Sequence, residues 1–125
     1  MPRVEEMENK VFAKQLEDRT KRFAISVIKL SALLPGSPEG KVVRNQFTKA
    51  GTSVGANYRE ANRARSKADF SNKIRICESE SSESIYWLEI IEEINWLTPE
   101  KTKPVLAEAI EILAIFTSTG KTLKL

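Results

Sequence analysis

GTSVGANYREANRARSK, residues 51–67, places two glycines and two asparagines where the flanking hydrophobic period asks for a helix, and then turns strongly basic. Two readings compete for it: a loop that cradles phosphate, or a close-packing seam between two helices. A P-loop needs G-x-x-x-x-G-K-[ST] after a buried strand, and a dinucleotide fingerprint needs G-x-G-x-x-G; GTSVG fits neither and follows no strand. The packing reading draws support from the segment that comes next. If the chain folds back at about residue 65, positions whose numbers sum to about 131 face each other across an antiparallel helix pair. Gly51 then lies near Glu80 and Ser81, and Gly55 near Ile76 and Cys77, in a region that reads CESESSES (77–84) and is dominated by small side chains. Small residues on both sides let two backbones approach closely, which offsets a glycine helix penalty of about 1 kcal/mol each. A helix, a turn and a partner helix packed through small residues is therefore the expectation.

Working outward, four amphipathic segments follow one another, each with an apolar stripe stepping by three or four residues. The first carries Phe12, Leu16, Phe23, Val27, Leu30 and Leu34 and is closed by PGSPEG at 35–40. The second carries Val43, Phe47, Ala50, Val54, Ala61 and Ala64; the third runs from Phe70 through Ile74, Cys77, Ser81, Ile85 and Leu88 to Ile91. Leu106, Ala109, Leu113, Phe116 and Leu123 mark the fourth. Ser66 with Asp69 three residues on resembles a capping box, and Thr98-Pro99-Glu100 reads as an N-cap followed by a proline at the first helical position. These signals place helices at roughly 7–34, 40–64, 66–97 and 99–123, the third about 48 Å long at 1.5 Å per residue. Short connections between four such helices predict an all-α, antiparallel up-down-up-down four-helix bundle, a single domain over residues 1–125.

Composition narrows the chemistry. At 125 residues, with 41% apolar and 30% charged residues, the chain can bury a core without disulfides or metal. It has no histidine and one cysteine, Cys77, so serine–histidine and cysteine–histidine nucleophiles, cysteine-cluster metal sites and Glu-x-x-His di-iron patterns all lack a residue type they need. No cofactor and no metal are expected. MPRVEEMENK has no apolar signal-peptide core, and the longest apolar run, ILAIF, is too short to span a bilayer, which points to a soluble cytoplasmic protein with no membrane role.

Asn57 sits on the apolar stripe between Val54 and Ala61, while Glu80 and Glu83 lie one turn apart on the inner flank of the third helix. Buried polar groups must find partners. With Gly51 and Gly55, these residues form the expected packing seam, where Arg59 or Tyr58 would complete a polar network. A carboxylate pair holding a divalent cation is the weaker reading, because no third ligand stands at suitable spacing. Cys77, on the apolar stripe, reads as a small buried hydrophobe.

The net charge of +3 hides a division: residues 41–75 carry nine Lys or Arg against two acids, and residues 76–100 carry seven Glu and no base. Bases near the N-terminus of the third helix and EIIEE near its C-terminus run against the preference of the helix dipole. Something outside the helix should meet these charges. A second copy is one candidate, its basic patch meeting a neighbour's acidic one in a head-to-tail contact that can close into a ring. Nucleic acid is the other, with Arg59, Arg63, Arg65, Lys67, Lys73 and Arg75 on phosphates. A merely solvated face is the plain alternative. Aromatics hardly interleave with the arginines, so shape and phosphate are better targets than stacked bases.

The run TSVGANYREANRARSKADFSNKIRICESESSESIYWLEII, residues 52–91, closely resembles the signature region of the bacterial 23S rRNA intervening-sequence proteins. There a T/S-S-V-x-A-N stretch leads to an E-A motif, S-x-x-[DE]-F opens the long helix, and W-L-E nears its end. The matching positions are Ser53, Val54, Ala56 and Asn57, then Glu60 and Ala61, then Ser66, Asp69 and Phe70, and finally Trp87, Leu88 and Glu89. This resemblance implies a four-helix bundle assembling as a homopentamer, similar also to the basic bundle that serves the reverse transcriptase of diversity-generating retroelements and its RNA. It supplies no catalytic residues. On it rests the expected function: a non-enzymatic oligomer that binds RNA or a ribonucleoprotein through the basic region, with Glu89, Glu92, Glu93 and Trp96 at the subunit interface. A ring-forming scaffold without a nucleic-acid role is the alternative.

Overall fold

In the computed structural model, which describes residues 4–123 and the side chains of 7–123, four helices follow in sequence: α1 (Val4–Ser31), α2 (Pro38–Ala61), α3 (Lys67–Glu93) and α4 (Pro99–Leu123). The described residues contain no strand. Side-chain caps set the starts of α2 and α3. Ser37 accepts the Gly40 N–H at 3.1 Å, and Ser66 accepts the Asp69 N–H at 3.0 Å, each satisfying an amide that has no carbonyl a turn behind it. α2 thus begins before the expected residue 40, because Ser37-Pro38-Glu39 is the same cap-then-proline pattern as Thr98-Pro99-Glu100.

Ends are shorter than the periodicity suggests. α2 stops at Ala61, after which the Arg63 and Ala64 amides tighten onto the Glu60 and Ala61 carbonyls. α3 stops at Glu93, which makes its 27 residues about 40 Å long. Asn95 takes a left-handed φ of 57°; its amide bonds the Glu92 carbonyl and that of Trp96 the Ile91 carbonyl, a Schellman ending with asparagine where glycine is usual. Residues 94–97 therefore form the turn that the sequence assigned to the helix.

Neighbouring helices are antiparallel. Glycine positions 51 and 55 on α2 meet Val27 and Thr20 on α1, so numbers fall on one helix as they rise on the other. Thr117 donates to Glu78 and Thr102 to Glu92, the same inverse order between α3 and α4. α4 closes the ring against α1, where Arg19 grips Glu108 with two hydrogen bonds of 2.6 and 2.8 Å and Glu111 stands 3.3 Å away. Contact across this last seam is the lightest of the four.

Phe47, Phe116, Ile74, Leu88, Ile91, Ile112, Val27 and Val54 are fully buried at the centre. Several stripe positions shift by one residue from expectation. Ser84 rather than Ile85, and Ile112 rather than Leu113, face inward, since a 3.6-residue period lets either i+3 or i+4 continue a stripe. Phe12 is uncovered, 52% exposed, because α1 runs past the end of α2.

The seam of glycines is real but faces the other way. A Cβ on Gly51 would sit 2.6 Å from both Val27 γ-carbons, and one on Gly55 would meet Thr20 side-chain and backbone atoms at 3.1–3.2 Å. Both contacts are with α1, not α3 as the fold-back numbering implied. α3 approaches α2 one stripe over, where the Cys77 thiol donates to the Val54 carbonyl at 3.5 Å.

Candidate nucleic-acid interface

Residues 62–66 join α2 to α3, and the N-cap on Ser66 fixes how α3 leaves the turn. Arg63 and Arg65 lie in that turn and Lys67 is the first residue of α3, all exposed. Arg65 and Lys67 line one groove of about 720 Å³ with Ala61, Ala64, Phe70 and, from the end of α4, Leu123. Among the described residues no carboxylate lies within ion-pair distance of Arg63, Arg65 or Lys67. Arg65 and Lys67 stand at the positive N-terminus of α3, where an anion would relieve their mutual repulsion, while Arg63 follows the negative C-terminus of α2.

The other three basic residues do not join them on one face. Arg59 turns toward α1, its Nε 3.8 Å from a Glu17 carboxylate that also accepts the Asn62 side-chain amide at 2.8 Å. Lys73 and Arg75 are two residues apart on α3, about 200° around the helix. Arg75 borders a different groove with Glu78, Tyr86 and Thr117.

Sequence reasoning missed the lysines that the fold brings to the same end. Lys10 and Lys14 on α1 line a groove that also contains Asn62 at the end of α2, and Lys121 sits one residue before the Thr122–Leu123 edge of the turn groove. A charge count along the chain could not find them. The antiparallel pairing of α1 with α2, once known, puts residues near 14 beside the α2 C-terminus.

The acidic end is partly used inside the fold. Glu92 accepts the buried Thr102 hydroxyl at 2.8 Å and lies 3.6 Å from Lys103, and Trp96 packs against the core. Glu89 and Glu93 alone of the four expected interface residues are exposed, one turn apart on the outer side of α3.

The expected polar network around Asn57 does not form. Asn57 donates back to the Ser53 carbonyl at 2.8 Å, and Glu83 accepts only the Trp87 indole N–H at 3.3 Å. Tyr58 takes the inward position, its ring tilted against Phe116 at 5.5 Å. Burial pushes the Glu80 carboxyl above the usual carboxylate range, with Glu83 adding to the shift and Lys49 opposing it. Among the described residues there is no group of three or more acidic, cysteine or histidine side chains able to hold a metal ion.

A family model described as 23S rRNA-intervening sequence protein matches residues 14–118. The chain is also similar to a solved crystal structure from Bacteroides thetaiotaomicron, described as a protein with unknown function from the S23 ribosomal protein family. The two share 34% identity and a TM-score of 0.78, over 84% of this chain and 97% of that one. No curated protein matches it.

Proposed function

This chain belongs to the 23S rRNA-intervening sequence protein family, and from that membership we propose that it is a non-enzymatic helical bundle that binds RNA through its basic end. The observation that carries the reading is the cluster of Arg63, Arg65 and Lys67, exposed and without carboxylate partners among the described residues. Phosphate oxygens suit such cations, and the one aromatic among the described residues of their groove, the half-buried Phe70, is no stacking platform, so the target is backbone and shape rather than base sequence. Lys10, Lys14 and Lys121 widen the same end. We further read the protein as a homo-oligomer, a pentamer by its likeness to the family, with Glu89 and Glu93 on the subunit contact. Partnership with RNA places it in the cytoplasm; among the described residues no helix is long and apolar enough to cross a membrane.

Binding of purified protein to structured RNA across a salt series tests this, beside a variant with Arg63, Arg65 and Lys67 changed to Glu and shown to keep its helicity and oligomeric mass. Affinity should fall with log salt at a slope of about −0.7 to −0.9 per phosphate contact and collapse in the variant. Absence of binding by the unaltered protein at low salt would reject the reading and leave a ring-forming scaffold, its charges serving assembly alone.

A further inference from the structure

The two hairpins of the bundle differ in charge. Residues 7–61, which span the described side chains of α1 and all of α2, carry ten Lys or Arg against five acids, whereas residues 76–123 carry three against nine. A polyanion seated at the turn between α2 and α3 is thus drawn toward the α1–α2 side and repelled by the other.

On that side three grooves join end to end. The turn groove meets the groove of Lys10 and Lys14 at Asn62, which lines both. Glu17 in turn lines that second groove and a third, of about 330 Å³, between α1 and α2. Lys21 stands on the α1 wall of the third groove and Arg59 on its α2 wall, both exposed. Lys10, Lys14 and Lys21, at i, i+4 and i+11, fall on one face of α1 and span about 16 Å at 1.5 Å per residue. Among the described residues no carboxylate lies within ion-pair distance of any of the three.

Between the walls of the third groove the floor is small: Ala24, Gly55 and Ala56. Gly55 draws the two helices together, since a Cβ there would press on Thr20, and a surface of this kind lets another backbone lie close. Glu17, the acid on the lysine face, is engaged within the fold, accepting the Asn62 amide at 2.8 Å and standing 3.8 Å from Arg59. Glu60 is the one exposed acid of the groove. We infer, resting on the RNA reading given above, that bound RNA does not end at the turn but continues past Asn62 along the α1–α2 groove, with phosphates on Lys21 and Arg59. Its backbone passes over Ala24, Gly55 and Ala56. Gly55 then serves twice, as packing seam on the inside and as floor on the outside.

Binding to structured RNA across a salt series tests this with three variants shown to keep their helicity and oligomeric mass: Lys21→Gln, Ala56→Leu and Lys101→Gln. The last removes an equal charge from the acidic hairpin, at an exposed lysine with no carboxylate in ion-pair distance among the described residues. Lys21→Gln should make the slope of log affinity against log salt shallower by about 0.7 to 0.9, the loss of one phosphate contact. Ala56→Leu fills the floor without changing charge and should weaken binding, while Lys101→Gln should leave the slope as it was. An unchanged slope in Lys21→Gln, an equal change in Lys101→Gln, or full affinity in Ala56→Leu would overturn the groove. In that event the variant of Arg63, Arg65 and Lys67 still loses its binding, and the RNA reading stands. Absence of binding by the unaltered protein at low salt overturns both.

Discussion

Glu80 is a carboxylate whose surroundings favour its protonated form. Burial is the main cause, and the charge of Glu83 one turn away works in the same direction against Lys49. Its folded-state pKa lies above the unfolded value, so the native chain holds the proton more tightly, and the stability this contributes is lost as pH rises through the window between the two. Glu80→Gln should accordingly flatten the decline of stability just above the ordinary carboxylate range and leave the variant the more stable protein at neutral pH. Urea denaturation at a series of pH values measures it; a slope identical to that of the unaltered protein would assign the titration elsewhere. Cys77 shows the same burial acting on a thiol, pushed up to about 12, which keeps it a packing residue. That role was legible from its place in the stripe. The choice between Asn57 and Tyr58 was not, because it depends on Phe116 of α4, a partner that no local period reveals.

Helix pairs show what spacing rules can and cannot specify. Small residues at 51 and 55 announce a close approach, yet the fold-back numbering names only the helix that follows in sequence, and both glycines press on the helix that precedes them. The resulting prediction concerns α1 and α2 together. Gly51→Ala gains about 1 kcal/mol of helix propensity, but its Cβ must displace Val27 from 2.6 Å, and overpacking of that kind costs about 1–3 kcal/mol. The substitution should lower the melting temperature in the unaltered protein and raise it in a Val27→Ala background, where the new methyl fills the space vacated. Thermal denaturation of the four proteins forms the cycle, and the same sign in both backgrounds would refute the contact. The starts of α3 and α4 were read from a serine three residues before an acid and a threonine before proline, whereas the same serine-proline pattern at Ser37-Pro38 was passed over and α2 was started at 40. The end of α3 was hidden because Asn95, not glycine, adopts the left-handed turn.

Across the whole molecule, three of the four helix seams are closed by apolar packing and the fourth, between α1 and α4, leans on one charged clamp. Arg19 and Glu108 are 36% and 30% exposed in their side chains, so the pair ranks with surface bridges of about 0.2–1 kcal/mol despite its two-pronged geometry. Arg19→Ala should lower stability by about that much at low ionic strength, with a smaller difference in 1 M salt, about a 3 Å screening length; chemical denaturation at both salt levels reads the two values. The fold class was legible because four stripes and three short connections leave little else to build. The candidate interface was legible only in its central part: Arg63, Arg65 and Lys67 adjoin in sequence, whereas Lys10, Lys14 and Lys121 reach the same end through the chain's three reversals. One further property follows from α3, whose bases stand near its N-terminus and acids near its C-terminus. These side-chain charges have the same sense as the peptide dipoles and add to them. α3 by itself therefore carries an electric moment along its axis to which peptides and side chains both contribute. A charged partner that comes within about 8 Å of α3 in physiological salt meets that field before any surface touches.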